Sequence, residues 1–278
     1  MILRIKVTFF SFISFLLVLF WVASPVALAF TEPILITDPT NTVDLKDCLK
    51  PNPDQQQHFL EKTDPKAIEI LRFWYEQWDN DIVKGGKGVY NSKWFPHGPA
   101  GAAGSQEVDK QIREKFSKTF DAAVEGKLTW EIDTNPYENL AYILLIDQFS
   151  RNMFRGTNKA YKYDNLGLAA ADKNLQGCFF NYYFTGYQKL FVVYPFMHDE
   201  NLASQKRSLE FLKIINEDEE HRYEFLNAFQ KAFEHYQMIF MFDRFPHRNS
   251  RRGRPNKDNE RSYLEKMQTL GFVDGSKW

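Results

Sequence analysis

Apolar residues recur at steps of three and four along most of this chain, and no sustained alternation with a period of two is present. After Asp64-Pro65, a capping residue followed by proline at a first helical position, Ile68, Leu71, Trp74 or Tyr75, and Trp78 share one face. After Ser105, expected as the next cap, Val108, Ile112, Phe116 and Ala123 share another face, and Gly126 stops that helix. Asn135-Pro136 opens a third helix whose stretch Leu140-Ala-Tyr-Ile-Leu-Leu-Ile146 is wholly apolar. Gly156-Thr157 opens a fourth, running through Asn174 and closed by Gly177. A short aromatic helix over 187–193 is expected to break at Pro195. Asp199 or Glu200 would then begin a helix carrying Leu202, Leu209, Leu212 and Ile215. Acidic residues 217–220 start what reads as the longest helix, with Phe225, Phe229, Phe233, Tyr236 and Phe240. Asp258 caps the last, which carries Leu264, Met267 and Leu270 and closes at Gly271. The pattern predicts an all-α body of about seven or eight helices, with antiparallel neighbours wherever connections are short.

The punctuation sets the domain limits. Residues 30–63 hold Pro33, Pro39, Pro51 and Pro53 without a sustained period, and read as an irregular leader to a single all-α domain over 64–278. The Gly-rich stretch 84–104 reads as a long loop pinned by Trp94 and Phe95. At the start, Arg4 and Lys6 precede an apolar run from Val7 to Ala23, then Pro25 and Ala27-Leu-Ala29. This is the layout of a secretory signal peptide over 1–29. The run is also long enough for an uncleaved membrane anchor over residues 7–29. Either reading exports the rest of the chain, to the periplasm or beyond, or leaves it tethered at the membrane.

Composition adds limits. Twenty-six phenylalanines among 278 residues imply an aromatic core. A formal charge of -1 argues against nucleic acid as a partner. Cys48 and Cys178 are the only cysteines, and an oxidising compartment would allow them to pair. Cys178 nevertheless sits beside Phe179 and Phe180 like a small buried hydrophobe, so two unpaired thiols are expected. There is no G-x-S-x-G elbow, no phosphate-binding glycine loop, no H-E-x-x-H and no C-x-x-C, so neither a metal nor a cofactor is implied.

Three polar clusters stand out. Asp147, Gln148, Arg151, Asn152 and Arg155 follow the apolar helix, where Asp147 and Arg151 are spaced to pair at i,i+4. His198, Asp199 and Glu200 are expected at a helix N-terminus, where acids cap and histidine can act as base, acid or ligand. Arg244, His247, Arg248 and Asn249 open a loop with six basic residues between 244 and 257 and no acid until Asp258. Such a loop can hold phosphate or carboxylate groups, or can pair with acids elsewhere in the chain.

Those three motifs, Leu144-Leu-Ile-Asp-Gln-Phe-Ser-Arg-Asn-Met-Phe-Arg-Gly156, Tyr194-Pro-Phe-Met-His-Asp-Glu200 and Arg244-Phe-Pro-His-Arg-Asn249, resemble in order and spacing a bacterial family called domain of unknown function 924. Arg72-Phe-Trp74, Asp109, Ile112-Arg113, Phe116 and Gly253-Arg254 add to the likeness, which covers about 65–272. The resemblance implies an all-α fold similar to tetratricopeptide-type helical hairpins, and no established activity. The chain departs from the family at Ser150, where proline is usual, at Asp199, where serine is usual, at Asp243, where glycine is usual, and at Arg252, where an apolar residue is usual.

Three functions follow for the clusters. They could form one pocket for a small anionic molecule or peptide, lined by Asp147, Arg151, Asn152, Arg155, His198, Glu200, Arg244, His247, Arg248 and Asn249. They could serve a hydrolase with His247 or His198 as general base, Asp147 or Glu200 as orienter and arginines stabilising the anion. Or they could be a structural staple. Proximity and burial discriminate among these readings. Oligomeric state is open.

Overall fold

The structure, a computed structural model, describes residues 48, 50–79, 91, 93–94, 101–215 and 222–269. The expectations placed on residues 1–47, on most of the Gly-rich loop including Phe95, on acidic 217–220 and on Leu270 and Gly271 lie outside those residues. Among the described residues there are helices and no strands.

The longer helices, in order, are α1 (Pro53–Lys62), α2 (Pro65–Trp74), α3 (Gly101–Val124), α4 (Pro136–Ile143), α5 (Asp164–Gln176), α6 (Gly186–His198), α7 (Leu202–Ile215), α8 (Arg222–Phe242) and α9 (Asp258–Thr269). Helix α4 runs on through a π-helical segment (Leu144–Phe149) into one more α turn (Ser150–Met153). The all-α expectation holds, and the capping signals explain most boundaries. Asp64 accepts from the Lys66 amide at 2.7 Å, with Pro65 at the first position of α2. Asn135 accepts from the Tyr137 and Glu138 amides, with Pro136 opening α4.

Several boundaries differ from expectation, each for a local reason. Residues 53–62 form a helix where an irregular leader was expected, because Asn52 and Gln55 close a reciprocal capping box ahead of them. Helix α3 begins at Gly101, ahead of Ser105. The fourth expected helix divides into a 3-10 turn (Asn158–Tyr161) and α5. Pro195 does not break α6. It lies in the last turn, where its own φ suits a helix and only the turn before it loses a hydrogen bond, while Phe196 and Met197 stay in the core. His198 is therefore the last residue of α6, and Asn201, not His198, Asp199 or Glu200, caps α7 through the Ala203 amide at 2.8 Å. With 24 residues, α3 is longer than α8, with 21.

Neighbours in sequence are mostly neighbours in space: α5 packs on α4 and α6, α6 on α7, and α7 on α8, while α2 lies against α4. The core between them is aromatic, as the composition implied. Trp74 meets Phe149 at 5.4 Å and Phe191 at 5.5 Å, edge to face, the arrangement aromatic pairs prefer. Trp94 is pinned as expected, donating from its indole to the Trp74 carbonyl at 2.8 Å. A smaller apolar cluster of Met238, Ile239 and Phe245 lies under the basic loop.

The cysteines are joined, contrary to expectation: Cys48 and Cys178 form a disulfide across 130 residues of sequence. Cys48 is buried and Cys178 only partly so, and neither is the unpaired thiol that was expected. The bond ties the segment before α1 to the turn after α5. Tyr182 reinforces the same junction, its hydroxyl donating to the Cys48 carbonyl at 2.6 Å.

Candidate functional site

The site starts from a helix that changes pitch. Leu140 to Ile146 are all fully buried apart from a sliver of Tyr142, so this segment is fixed in the core. From Leu144 to Phe149 it widens into a π-helix, a rare form that recurs at functional positions. Asp147 sits in that turn with no exposed surface. A carboxylate there must be compensated. Arg151 Nη1 lies 3.1 Å from its Oδ1, Gln148 donates to Oδ2 at 2.6 Å, and His198 Nδ1 is 2.8 Å from Oδ1 and 3.0 Å from Oδ2. Burial by itself would raise the Asp147 pKa, but Arg151 and His198 outweigh it and hold the carboxyl at about 2. An ionised Asp147 accepts only, so His198 is the tautomer with the proton on Nδ1, and Nε2 carries a lone pair with no partner among the described residues. Burial, then the charge on Arg151, lowers the His198 pKa against the pull of Asp147, keeping the ring neutral.

A second acid, Asp164 at the start of α5, joins the helix motif to the basic loop. Arg151 Nη2 lies 3.0 Å from Asp164 Oδ1, Arg248 Nη1 3.5 Å from Oδ2, and Arg252 Nη2 3.9 Å from Oδ2. Arg248 also donates to the His198 carbonyl at 2.9 Å, closing the last turn of α6. Glu200 takes both Nη groups of Arg254 at 2.6 and 2.9 Å, the Phe245 amide at 3.0 Å and Arg252 at 3.4 Å. Burial opposes its ionisation, but the hydrogen bonds it accepts from Arg254 and from the Phe245 amide bring its pKa below the usual range. Three guanidinium groups gather about the Tyr161 ring, Arg248 at 4.7 Å and Arg151 and Arg252 each at 5.8 Å. Arg251 donates to the Tyr161 hydroxyl at 3.1 Å. Arg248 is almost fully enclosed, and burial brings its pKa down to about 10 despite Asp164.

Nine of the ten residues expected to line one pocket divide into a centre and two flanks. Asp147, Arg151, His198, Glu200 and Arg248 form the centre. Asn152 and Arg155 turn away to Asp109 on α3, with Asn152 donating at 2.8 Å and Arg155 donating twice at 2.7 and 2.8 Å. Arg244 and Asn249 turn to Glu260 on α9, Arg244 at 2.6 and 2.8 Å and Asn249 at 3.0 Å. The flank residues meet Asp109 and Glu260 because each flank has a buried acid of its own to satisfy. His247 lies against Phe245, ring to ring at 5.5 Å, and burial followed by Arg248 takes its pKa to about 3. His198, one of the two expected bases, is oriented by an acid, Asp147.

Asp164, Tyr161, Asp109 and Glu260 were not expected as members of the site, and Arg251, Arg252 and Arg254 were expected as loop charge or family matches but not as site residues. Asp109 carried a signal as a family match. Asp164, Tyr161 and Glu260 lay in ordinary helix starts and turns with nothing local to mark them. A separate surface depression of about 280 Å³, lined by Asp64, Lys66, Lys118, Lys127 and Trp130 among others, lies away from all three motifs. Among the described residues, no group of three or more His, Cys, Asp or Glu side chains is placed to hold a metal ion.

Comparison with known proteins places this arrangement. The chain belongs to the family described as bacterial protein of unknown function (DUF924), whose pattern matches residues 70–268 and so takes in every group of the centre and both flanks. A solved protein of unknown function from Agrobacterium tumefaciens is similar in structure, with a TM-score of 0.57 and 28% sequence identity over 72% of this chain and 97% of that one. No curated protein matches the sequence.

Proposed function

We propose that this member of the family binds a small anionic molecule at the arginine cluster around Tyr161. The observation that carries the reading is a mismatch of donors and acceptors. Arg151, Arg248, Arg252 and Arg254 each keep a buried Nε–H without an acceptor among the described residues, although three carboxylates stand among them. Buried donors of this kind cost free energy unless something accepts from them. The cluster is reached from solvent on the side of Arg252 and Arg254, whose side chains are 27% and 23% exposed. The test is titration calorimetry of the full chain with sulfate, phosphate and small carboxylates. Binding that weakens at least tenfold in Arg252→Gln supports the reading, and the absence of binding by every anion removes it.

A second reading has its own observation. Asp147 fixes the tautomer of His198 and leaves Nε2 as a proton acceptor, which is the arrangement of a general base with an orienting acid. In this reading His198 Nε2 takes a proton from water as the water oxygen attacks the bound ester, the bond to the alcohol oxygen breaks, the proton passes from His198 to that leaving oxygen, and the arginines stabilise the charge that develops. It predicts turnover of an ester of the bound anion that His198→Gln abolishes while anion binding stays within threefold of the native value. Binding without turnover in the native protein would leave the first reading alone.

We also propose that the domain works in an oxidising compartment. The basic, apolar and small-x-small layout of residues 1–29 supports export, and the Cys48–Cys178 bond supports the destination. No described helix is long and apolar enough to cross a membrane, and residues 1–47 lie outside that statement. Thiol labelling of the protein in its native cells reads the outcome: unreacted cysteines after denaturation agree with export, and full labelling contradicts it.

A further inference from the structure

We infer that the ligand is a compact dianion, a phosphate or sulfate group, free or as the head of a monoester. This rests on the anion-binding reading above and narrows it. The charges decide it. The flanks balance one to one: Arg155 answers Asp109, and Arg244 answers Glu260. The centre does not balance. Among the described residues, Arg151, Arg248, Arg251, Arg252 and Arg254 stand against Asp147, Asp164 and Glu200, a surplus of two positive charges. Each of the three carboxylates is already engaged: Asp147 by Arg151, His198 and Gln148, Glu200 by Arg254, Arg252 and the Phe245 amide, and Asp164 by Arg151, Arg248 and Arg252. Two uncompensated positive charges at a partly enclosed site are costly, and two ligand charges of opposite sign remove that cost.

The placement of the surplus specifies the ligand's size. Three of the five guanidinium carbons lie within 5.8 Å of the centroid of the Tyr161 ring, and Arg251 reaches the hydroxyl of the same residue. Donors gathered about one ring match an anion whose charge is concentrated on a single centre. A dicarboxylate with its ends separated by methylene groups presents the same charge over a longer span. Guanidinium forks also favour the oxygens of a phosphoryl or sulfuryl group, which accept several bonds from different directions.

The experiment is titration calorimetry of the full chain at constant ionic strength with four probes: sulfate, inorganic phosphate at pH 8, succinate and acetate. Sulfate and phosphate are expected to bind at least tenfold more tightly than succinate or acetate. Arg252→Gln, which removes one surplus charge at a partly exposed position, should weaken sulfate at least tenfold and change acetate by less than threefold. Asp164→Asn raises the surplus to three and should tighten sulfate at least threefold, whereas arginines held there only for packing would loosen it. Acetate binding as tightly as sulfate overturns the dianion while leaving an anion site. Succinate matching phosphate overturns compactness. If none of the four binds, the dianion and the anion reading fall together. Phenyl phosphate binding more tightly than inorganic phosphate would assign a monoester, and equal affinity would assign the free anion.

Discussion

Asp147 is the residue on which both the architecture and the proposed chemistry turn, so its replacement is the most informative perturbation. It has no exposed surface, and its carboxylate is met by Arg151 at 3.1 Å, His198 at 2.8 Å and Gln148 at 2.6 Å. With the carboxyl held at about 2, against a usual value near 4, the ionised form is favoured in the folded protein by roughly 2–3 kcal/mol. Asp147→Asn keeps the shape and removes the charge, so it should cost about that much. Asp147→Ala also opens a gap and leaves Arg151 with Asp164 as its remaining acid, and should cost about 3–5 kcal/mol. Urea unfolding followed by circular dichroism at pH 7, with the disulfide intact, measures both. A loss below about 1 kcal/mol for Asp147→Asn would refute the view that Asp147 is the buried counter-ion of this helix. The pair Asp147→Leu with Arg151→Met carries the matter further. Replacing both members with apolar groups of similar volume is often neutral for stability. The double variant is therefore expected to be more stable than either single one and to have lost sulfate binding, which would separate the staple from the site.

Three further outcomes follow from the same geometry. Reducing the Cys48–Cys178 bond frees a 130-residue loop, and chain entropy puts the resulting loss of stability at about 5 kcal/mol as an upper figure, read as a lower urea midpoint in reductant. His198, His235 and His247 all have pKa values lowered first by burial, so the unfolded chain binds protons that the folded protein refuses. Stability should hold above about pH 6.5 and fall as pH drops below it, by up to ~4 kcal/mol per pH unit if all three contribute, and urea midpoints between pH 5 and 8 that do not change would contradict this. Asp243 closes α8 at φ +58°, a left-handed conformation that costs a side chain, so Asp243→Gly should raise stability by up to about 1 kcal/mol in the same assay.

The last of these shows what a sequence can reveal in part. Asp243 was noticeable as a departure from a usual glycine, and the positive φ supplies the reason glycine is usual there. Helix content, the aromatic core and the Asp147–Arg151 pair were legible because they depend on residues three or four apart. Asp147 was also legible as needing a partner, since an acid inside an apolar run cannot remain alone. The identity of the other partners was not legible. Asp164 lies 13 residues beyond Arg151 and 84 before Arg248, so no local period links it to either. Cys178 looks like an ordinary small apolar residue beside Phe179 and Phe180 until the fold brings it to Cys48. The Pro195 boundary failed for the opposite reason: a strong local rule was applied to the turn after the proline, where the penalty does not fall.

The contrast between flanks and centre bears on how binding and stability share these motifs. A group of charges kept only to hold helices together gains nothing from an excess of one sign, because every unmatched charge it encloses is a cost. The two flanks obey that rule, each joining one arginine to one buried acid across two elements: Arg155 to Asp109, and Arg244 to Glu260. They fix α3 to the end of the helix that carries Asp147, and α9 to the loop that carries Arg248. Among the described residues the centre, framed by those balanced pairs, breaks the rule by two charges, and it does so on a π-helical turn and an arginine-rich loop, where the cost of irregular backbone is added to the cost of charge. Arginines that were only structural would be expected to match their acids in number, as the flanks do. The surplus is therefore the property that a bound dianion explains and that a staple does not.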